Sequence, residues 1–556
     1  AVPEGLPTVA TTTLALGIRR MRGAGVLVRR LDAIETLGAV EIICFDKTGT
    51  VTENRMSVVE LIAGGRRLVV RGGTLLDGDE PASPDDDPVL ATLLRVLLLC
   101  SAVTVDSEAR EGPAEPAAAG RSRAPVLRGT PTEVALARIA IDAGLDITEL
   151  RARHPVVRVR ERSATRMWMD TLHRDGEDGT LLAVKGRPTD VLALCDRVRR
   201  DGKEVPLDDD ARDAVISENE RMAGDALRVL GVAYGRQGDA IERARLVWLG
   251  LVAMTDPPRA GIEQTLERLH HAGIATAMIT GDQSATAISI ARRIGLGRDG
   301  KLEVLDSTAL EELQPEVLQS LARRVQVFSR VSPAHKLAIV QALQASGLVV
   351  AMTGDGVNDS PALKAADVGV AMGAGGTPAA REVAAIVLKN DDLASMLPAI
   401  EQGRTIQADI KKAVHFILAT NLGEILLTTA QVGLGFGTTL TPIQLLWINL
   451  LTDVLPELAL AVEPPESNVL SCPPRKKGQP MFDRRELGRI ALEGGIITTG
   501  AIGASAWSAL RGRGPARTST VAFTTLACAQ LLHTISSRST DHSIFDVRQS
   551  LARHRW

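Results

Sequence analysis

An apolar run, Val40-Glu41-Ile42-Ile43-Cys44-Phe45, ends on Asp46 and passes straight into Lys47-Thr48-Gly49-Thr50. It reads as a buried strand with a carboxylate at its carboxyl end, the edge where open α/β sheets bind ligands. The rhythm of such a sheet then breaks off. From about residue 56 to 245 the chain carries loops rich in Pro, Asp and Gly, at 77–88 and 111–125, which read as solvated linkers. Over 246–390, short apolar runs alternate with helical stretches: Leu246 to Met254, Ile274 to Ile279, Val325 to Phe328 and Leu348 to Met352. That alternation predicts a doubly wound parallel sheet. The chain is therefore read as one α/β domain split in sequence, 19–55 with 246–390, and a second domain, 56–245, inserted after its first strand.

Beyond residue 412 the character changes. Apolar segments run near 413–435, 440–463, 488–510 and 518–536, each close to the twenty residues a membrane helix needs. Residues 1–18, apolar but broken by Pro3 and Pro7, read as the second half of a further span. Arg19-Arg20-Met21-Arg22, Arg29-Arg30 and Arg475-Lys476-Lys477 flank apolar spans as cytoplasmic loops do. Residues 391–412 then form a stalk, 413–540 a bundle of transmembrane helices and 541–556 a cytoplasmic loop. A formal charge of −3 leaves no nucleic-acid footprint. Five scattered cysteines exclude a disulfide framework and fit a reducing compartment.

The strand-end loops carry phosphate chemistry. Thr353-Gly354-Asp355-Gly356-Val357-Asn358-Asp359 follows the apolar run Val349 to Met352, which puts Asp355 and Asp359 beside Asp46 if the strands are neighbours. Paired carboxylates at a phosphoryl acceptor imply Mg²⁺, held by Asp46, a backbone carbonyl near Thr48, and Asp355. Thr280-Gly281-Asp282 ends another strand, and its hydroxyl and N–H groups suit phosphoryl oxygens. Lys336, after Arg330-Val331-Ser332-Pro333, supplies a point charge.

These motifs, with Pro3-Glu4-Gly5-Leu6-Pro7 and Gly354 through Pro361, resemble the P-type ATPases, the cation pumps phosphorylated on aspartate. The resemblance runs nearly end to end. It implies a HAD-like phosphorylation domain, an inserted α+β nucleotide-binding domain and an α-helical transmembrane bundle. Asp46 then takes the γ-phosphoryl group of ATP, with Lys47 and Thr48 beside it. Lys336, Thr280, Gly281 and Asp282 stabilise that group, Asp355 binds Mg²⁺, and Asn358 and Asp359 support the site. Gly129-Thr130-Pro131-Thr132-Glu133 is similar to the family's Gly-Asp-Pro-Thr-Glu, departing at Thr130. Lys185-Gly186-Arg187-Pro188 is similar to its Lys-Gly-Ala-Pro loop at the adenine pocket. Glu133, Lys185, Gly186, Arg228 and Arg330 are the nucleotide candidates. The Phe on which the family stacks adenine is missing, and Arg160 is the candidate replacement.

Within the apolar spans, Asn421 and Glu424 are three residues apart, and Asn449, Thr452 and Asp453 share a helical face in the next segment. An ionised carboxylate at mid-bilayer costs roughly 2.5–3.5 kcal/mol even on the lenient scale, so Glu4, Glu424 and Asp453 call for a cation. Carboxylates, amides and carbonyls suit Ca²⁺ or another hard cation. The set Glu4, Asn421, Glu424, Asn449, Thr452 and Asp453 resembles the sarco/endoplasmic reticulum calcium pump, with Gln530 where that pump has Glu. Soft-metal pumps of the family carry Cys at the position of Glu4. The family's actuator domain, with its Thr-Gly-Glu loop, has no counterpart here, so the chain is read as a fragment.

The function the resemblance implies is ATP-driven transport of Ca²⁺ by a monomeric pump in the lipid bilayer of a bacterial plasma membrane, with the phosphorylation and nucleotide domains cytoplasmic. A Na⁺ or Mn²⁺ pump and a HAD-type phosphohydrolase are the alternatives. Such phosphatases carry a second Asp two positions after the nucleophile as general acid; this chain has Thr48 there.

Overall fold

The computed structural model describes residues 5–106, 126–163, 166–176, 179–200, 202–236, 245–297, 301–433, 440–466 and 468–538. Glu4, the whole 111–125 loop and the 541–556 loop lie outside the described residues. The chain forms two compact units, Ala1–Val51 with Gly261–Gly281 and Ile294–Trp556, and Thr52–Ala260 with Asp282–Arg293.

The first unit holds an eight-stranded sheet. Its order is Val26–Val28, Ile386–Leu388, Val368–Met372, Val350–Gly354, Ile42–Asp46, Ala275–Ile279, Val327–Ser329 and Val304–Asp306. Every pairing is parallel except that of the Val26–Val28 edge strand. Parallel strands are covered on both faces and read as continuous apolar runs. Ile42, Ile43, Cys44 and Phe45 are accordingly all buried, and Ile42 and Cys44 pack with Ala277, Phe328, Ile339 and Met352.

The second unit is built on an eleven-stranded, almost wholly antiparallel sheet. Its central strand, Arg245–Thr255, pairs antiparallel with Ser57–Ala63 and Arg228–Arg236 and parallel with Cys195–Arg200. This corrects one sequence expectation. Leu246 to Met254 is not the resumption of the parallel sheet; it belongs to the inserted unit, and the split domain restarts at Gly261. The cause is burial on both faces. Leu246, Trp248, Leu251 and Ala253 enter one core, while Val247, Leu249, Val252 and Met254 enter another. The alternation slips at Gly250, whose φ of 158° accompanies a register shift. A central antiparallel strand covered on both sides looks like a parallel one in sequence. Within this unit the crossover strands are stitched together: Thr52 Oγ1 donates to Asp256 Oδ2 at 2.6 Å, and the Arg55 N–H to Asp256 Oδ1 at 3.0 Å.

The helical part of the first unit includes Leu6–Gly23, Met396–Gly433, Arg484–Leu510 and Pro515–Ser537. Pro442–Trp447 and Val454–Ala461 are joined by a π-helical turn, Ile448–Asp453. Among the described residues, Leu393–Gly433 and Pro442–Ala461 are long and apolar enough to cross a membrane. The Arg484–Leu510 and Pro515–Ser537 helices have the length for a span, at 27 and 23 residues, but Gly, Ser, Thr and charged residues dilute their hydropathy. Ile497 and Leu526 join an apolar cluster with Leu427 and Ile448, and small residues let the Arg484–Leu510 helix approach Met396–Gly433 closely: a Cβ on Gly494 would sit 2.9 Å from the Ala419 carbonyl oxygen, and Thr498 Oγ1 donates to the Gly423 carbonyl at 3.1 Å.

The short Asp32–Gly38 helix, just before the Ile42–Asp46 strand, lies backbone to backbone on Met396–Gly433. A Cβ on Gly403 would approach the Gly38 nitrogen and the Ile34 carbonyl oxygen to 2.7 Å. Arg404 next to it donates to the carbonyls of Ala272, Val469 and Cys472. Gly403→Ala should destabilise the first unit by about 1–3 kcal/mol, because rigid backbone rather than a flexible side chain has to yield. A lowered thermal unfolding midpoint checks this, and an unchanged midpoint contradicts the contact.

Candidate functional site

The Ile42–Asp46 strand lies between Val350–Gly354 and Ala275–Ile279, with Ile279 opposite Asp46 and Thr353 opposite Phe45. Their carboxyl-end loops therefore converge. One oxygen each of Asp46, Asp355 and Asp359 lies within 4.8 Å of the others. Lys336, on the first turn of Pro333–Ala345, places its Nζ 3.0 Å from Asp46 Oδ1 and 2.6 Å from Asp359 Oδ1. That helix is set by a capping box between Ser332 and His335. Asp46 also accepts the Lys47 N–H at 2.9 Å. Gly49, at φ 73°, carries the loop past Asp355; a Cβ there would stand 2.0 Å from Asp355 Oδ2. Only glycine gives both that backbone and that approach.

The charges in this cluster do not balance. Burial pushes the Asp46 carboxyl up to about 6, against the pull of Lys336. Burial, then the Asp46 and Asp359 carboxylates, push Asp355 up to about 6 as well. Burial works to lower Lys336, yet Asp46 and Asp359 hold its ammonium above the ordinary value. Three carboxylates around one ammonium, all hard oxygen donors, fit Mg²⁺. Asp359 is already committed, Oδ1 to Lys336 and Oδ2 to the Gly356 N–H at 3.1 Å. Asp46 and Asp355, with the Thr48 carbonyl, are the better ligands, and the ion would offset charge on a phosphoryl group brought to Asp46.

The remaining candidates fall out unevenly. Lys47 is buried, and Thr48 has extended backbone, φ −73° and ψ 131°. Thr280 is buried, and its own N–H donates to the Phe328 carbonyl at 2.9 Å and is committed to the sheet. Gly281 closes its segment of the first unit, whereas Asp282 is assigned to the second. Asn358 is exposed on the Val357–Asp359 turn. Arg330, at φ 55°, stands 3.8 Å from Asp306.

In the inserted unit, Thr130 caps Pro131–Asp142 through the Glu133 N–H, so the departure from Asp keeps the capping role. Lys185 Nζ meets Glu133 Oε2 at 2.5 Å with both side chains largely buried. Gly186 admits the chain beside Trp168, whose Cα would be 2.5 Å from a Cβ at position 186. Arg228 begins the Arg228–Arg236 strand and is exposed. Arg160 Nε sits 3.0 Å from both oxygens of Asp170, a fully buried side chain. Trp168, half-buried and directly opposite Gly186, is an aromatic group that the sequence motifs did not single out. Its signal was proximity in register rather than in sequence.

In the helical bundle, Glu424 and Asn421 lie on Met396–Gly433, and Asn449, Thr452 and Asp453 on the π-helical turn. Gln530 joins three helical segments: its Nε2 donates to Glu424 Oε1 at 2.9 Å, and its Oε1 accepts from Thr452 Oγ1 at 3.0 Å. Glu424, Thr452, Asp453 and Gln530 are all buried, and Asn449 partly so. Glu4 lies outside the described residues. Glu457, one turn past Asp453, is a buried carboxylate missing from the sequence set; an acidic residue at i+4 in an apolar stretch was its signal.

A parallel sheet with carboxylates and a lysine converging at its strand ends defines the haloacid dehalogenase-like hydrolases, and the family model of that description matches residues 177–367. Two further family models match: P-type ATPase, cytoplasmic domain N, over 89–261, and Cation transporting ATPase, C-terminus, over 437–556. Similar proteins include the calcium-transporting ATPase of Bacillus subtilis (strain 168), 36% identical over 98% of this chain and 61% of the relative. The probable cation-transporting ATPase F of Mycobacterium tuberculosis (strain ATCC 25618 / H37Rv) is 38% identical over 100% of this chain and 61% of its own length. The human calcium-transporting ATPase type 2C member 2 is 34% identical over 98% of this chain and 56% of its own. The chain belongs to the P-type ATPase family. It spans about three fifths of the length of the first two of these relatives.

Carboxyls held above their ordinary range stabilise the fold when protonated and lose that contribution as pH rises through the folded value. Asp46 and Asp355 should therefore make the Mg²⁺-free protein less stable as pH climbs from about 4 to about 7. Added Mg²⁺ should raise the thermal midpoint more above pH 6 than below it, and Asp355→Asn should flatten that difference. Equal Mg²⁺ effects at both pH values would contradict the charge assignment.

Proposed function

We propose that this chain is the catalytic and ion-conducting part of an ATP-driven pump for Ca²⁺, working through an aspartyl-phosphate at Asp46. The observation that carries this reading is the Asp46, Lys336, Asp355 and Asp359 cluster, joined within the same compact unit to buried oxygen donors on apolar helices. The printed names of the relatives, calcium- and cation-transporting ATPases, support it.

In this reading the Asp46 carboxylate attacks the γ-phosphorus of ATP. The bond from that phosphorus to the bridging oxygen breaks, and ADP leaves with the electron pair. Lys336 holds the Asp46 carboxylate in place and offsets charge on the transferred group. Water later cleaves the acyl phosphate, returning the carboxylate and inorganic phosphate. Glu133, Lys185, Gly186, Arg228 and Arg330 hold the nucleotide, and Thr280, Gly281, Asp282, Asn358 and Lys47 support the phosphoryl site. The transported ion is held by Glu4, Asn421, Glu424, Asn449, Thr452, Asp453 and Gln530, all hard donors suited to Ca²⁺. The pump works as a monomer, its helices form a transmembrane bundle in a bacterial plasma membrane, and the phosphorylation and nucleotide domains face the cytoplasm.

With the full-length protein in membrane vesicles, γ-labelled ATP should give a hydroxylamine-sensitive label that needs Ca²⁺. Asp46→Asn should abolish the label. Glu424→Gln should raise the Ca²⁺ requirement at least about tenfold, or about 1.4 kcal/mol of binding. A label that survives Asp46→Asn, or one that responds to Na⁺ or Mn²⁺ but not Ca²⁺, overturns the site or the ion, respectively.

A further inference from the structure

Glu457 stands one turn beyond Asp453, outside the polar set that the sequence picks out. The residue is 1% exposed, and its Oε2 has no hydrogen-bond partner among the described residues. Asp453 Oδ1 and Asn449 Oδ1, buried on the preceding turn, have none either. Across from Glu457 is Gly5, at the amino end of the Leu6–Gly23 helix. A Cβ on Gly5 would stand 1.8 Å from Glu457 Oε2 and 3.3 Å from Oε1, so the carboxylate rests against bare backbone.

Two explanations compete. The carboxylate can serve as the anion at a helix amino end, a favourable but small contribution. Burying an unpaired charge costs more than that contribution returns, so the helix end alone does not account for it. The neighbours sharpen the point. Gln530 is neutral, and its amide is consumed at both ends by Glu424 and Thr452. Asp453, for its part, lies within electrostatic reach of both Glu424 and Glu457. Three buried carboxylates and several unpartnered oxygens, with no basic side chain among the described residues bonded to any of these three, form a donor set for a cation.

We propose that Glu457 is a ligand carboxylate for the transported hard divalent cation, between Asp453 and the amino end of the Leu6–Gly23 helix, and that Gly5 stays small to admit it. The proposal rests on the pump reading above. It also explains how the bundle keeps its negative charge with an amide at position 530.

The test compares full-length wild type, Glu457→Gln, Glu457→Asp and Gly5→Ala in membrane vesicles. The readout is the Ca²⁺ concentration for half-maximal phosphorylation by γ-labelled ATP. Fluorescence of a trinitrophenyl ATP analogue reports whether each variant is folded. Glu457→Gln should shift the Ca²⁺ midpoint upward at least about tenfold, and Gly5→Ala, which moves the carboxylate but keeps its charge, should shift it the same way. A folded Glu457→Gln protein with the wild-type midpoint overturns the proposal and leaves Glu457 a helix-end partner. If Glu457→Gln does not fold, unchanged midpoints in both Glu457→Asp and Gly5→Ala overturn it. A wild type with no Ca²⁺-dependent label sinks the pump reading, and this proposal with it.

Discussion

One ammonium group, Lys336, is shared between two buried carboxylates at the end of a parallel sheet, at 3.0 Å from Asp46 and 2.6 Å from Asp359. Removing one partner from such a pair costs about 3–5 kcal/mol, so the pair locks the ends of three chain segments together. Asp359 is spent on Lys336 and the Gly356 N–H, which leaves Asp46 and Asp355 with more negative charge than the protein neutralises. That imbalance suits a site that takes up a divalent cation and a phosphoryl group together.

The same unit offers a mechanical route away from this cluster. The Asp32–Gly38 helix precedes the Ile42–Asp46 strand and touches Met396–Gly433 through glycine backbone at Gly38 and Gly403. From Gly403 that helix runs unbroken to Glu424, about 30 Å at 1.5 Å per residue. Arg404 ties its flank to three carbonyls on other segments. A continuous helix clamped at one end and carrying a buried carboxylate toward the other physically links the sheet-end cluster to the polar interior of the bundle. Coupling along it would need both sites to bias its position.

Much of this was legible in the sequence because the phosphate loops are local. Asp46, Thr280 and Asp355 each follow a short apolar run, and the parallel sheet places those run ends side by side. Another point failed for an identifiable reason. Leu246 to Met254 has the apolar continuity of a parallel strand because two cores bury its two faces.

Spacing and residue type alone picked out Asp46, Lys336, the acidic loop and the polar character of the bundle, because strand ends and helix turns impose short-range order that a pattern can register. Which partner each polar group keeps was decided only by the tertiary structure. Asp359 bonded to Lys336, Gln530 bridging Glu424 and Thr452, Arg160 bound to Asp170, and Glu457 resting on Gly5 all join segments distant in the chain. Such pairings depend on sub-ångström approach between elements, and no periodicity in the sequence encodes that distance.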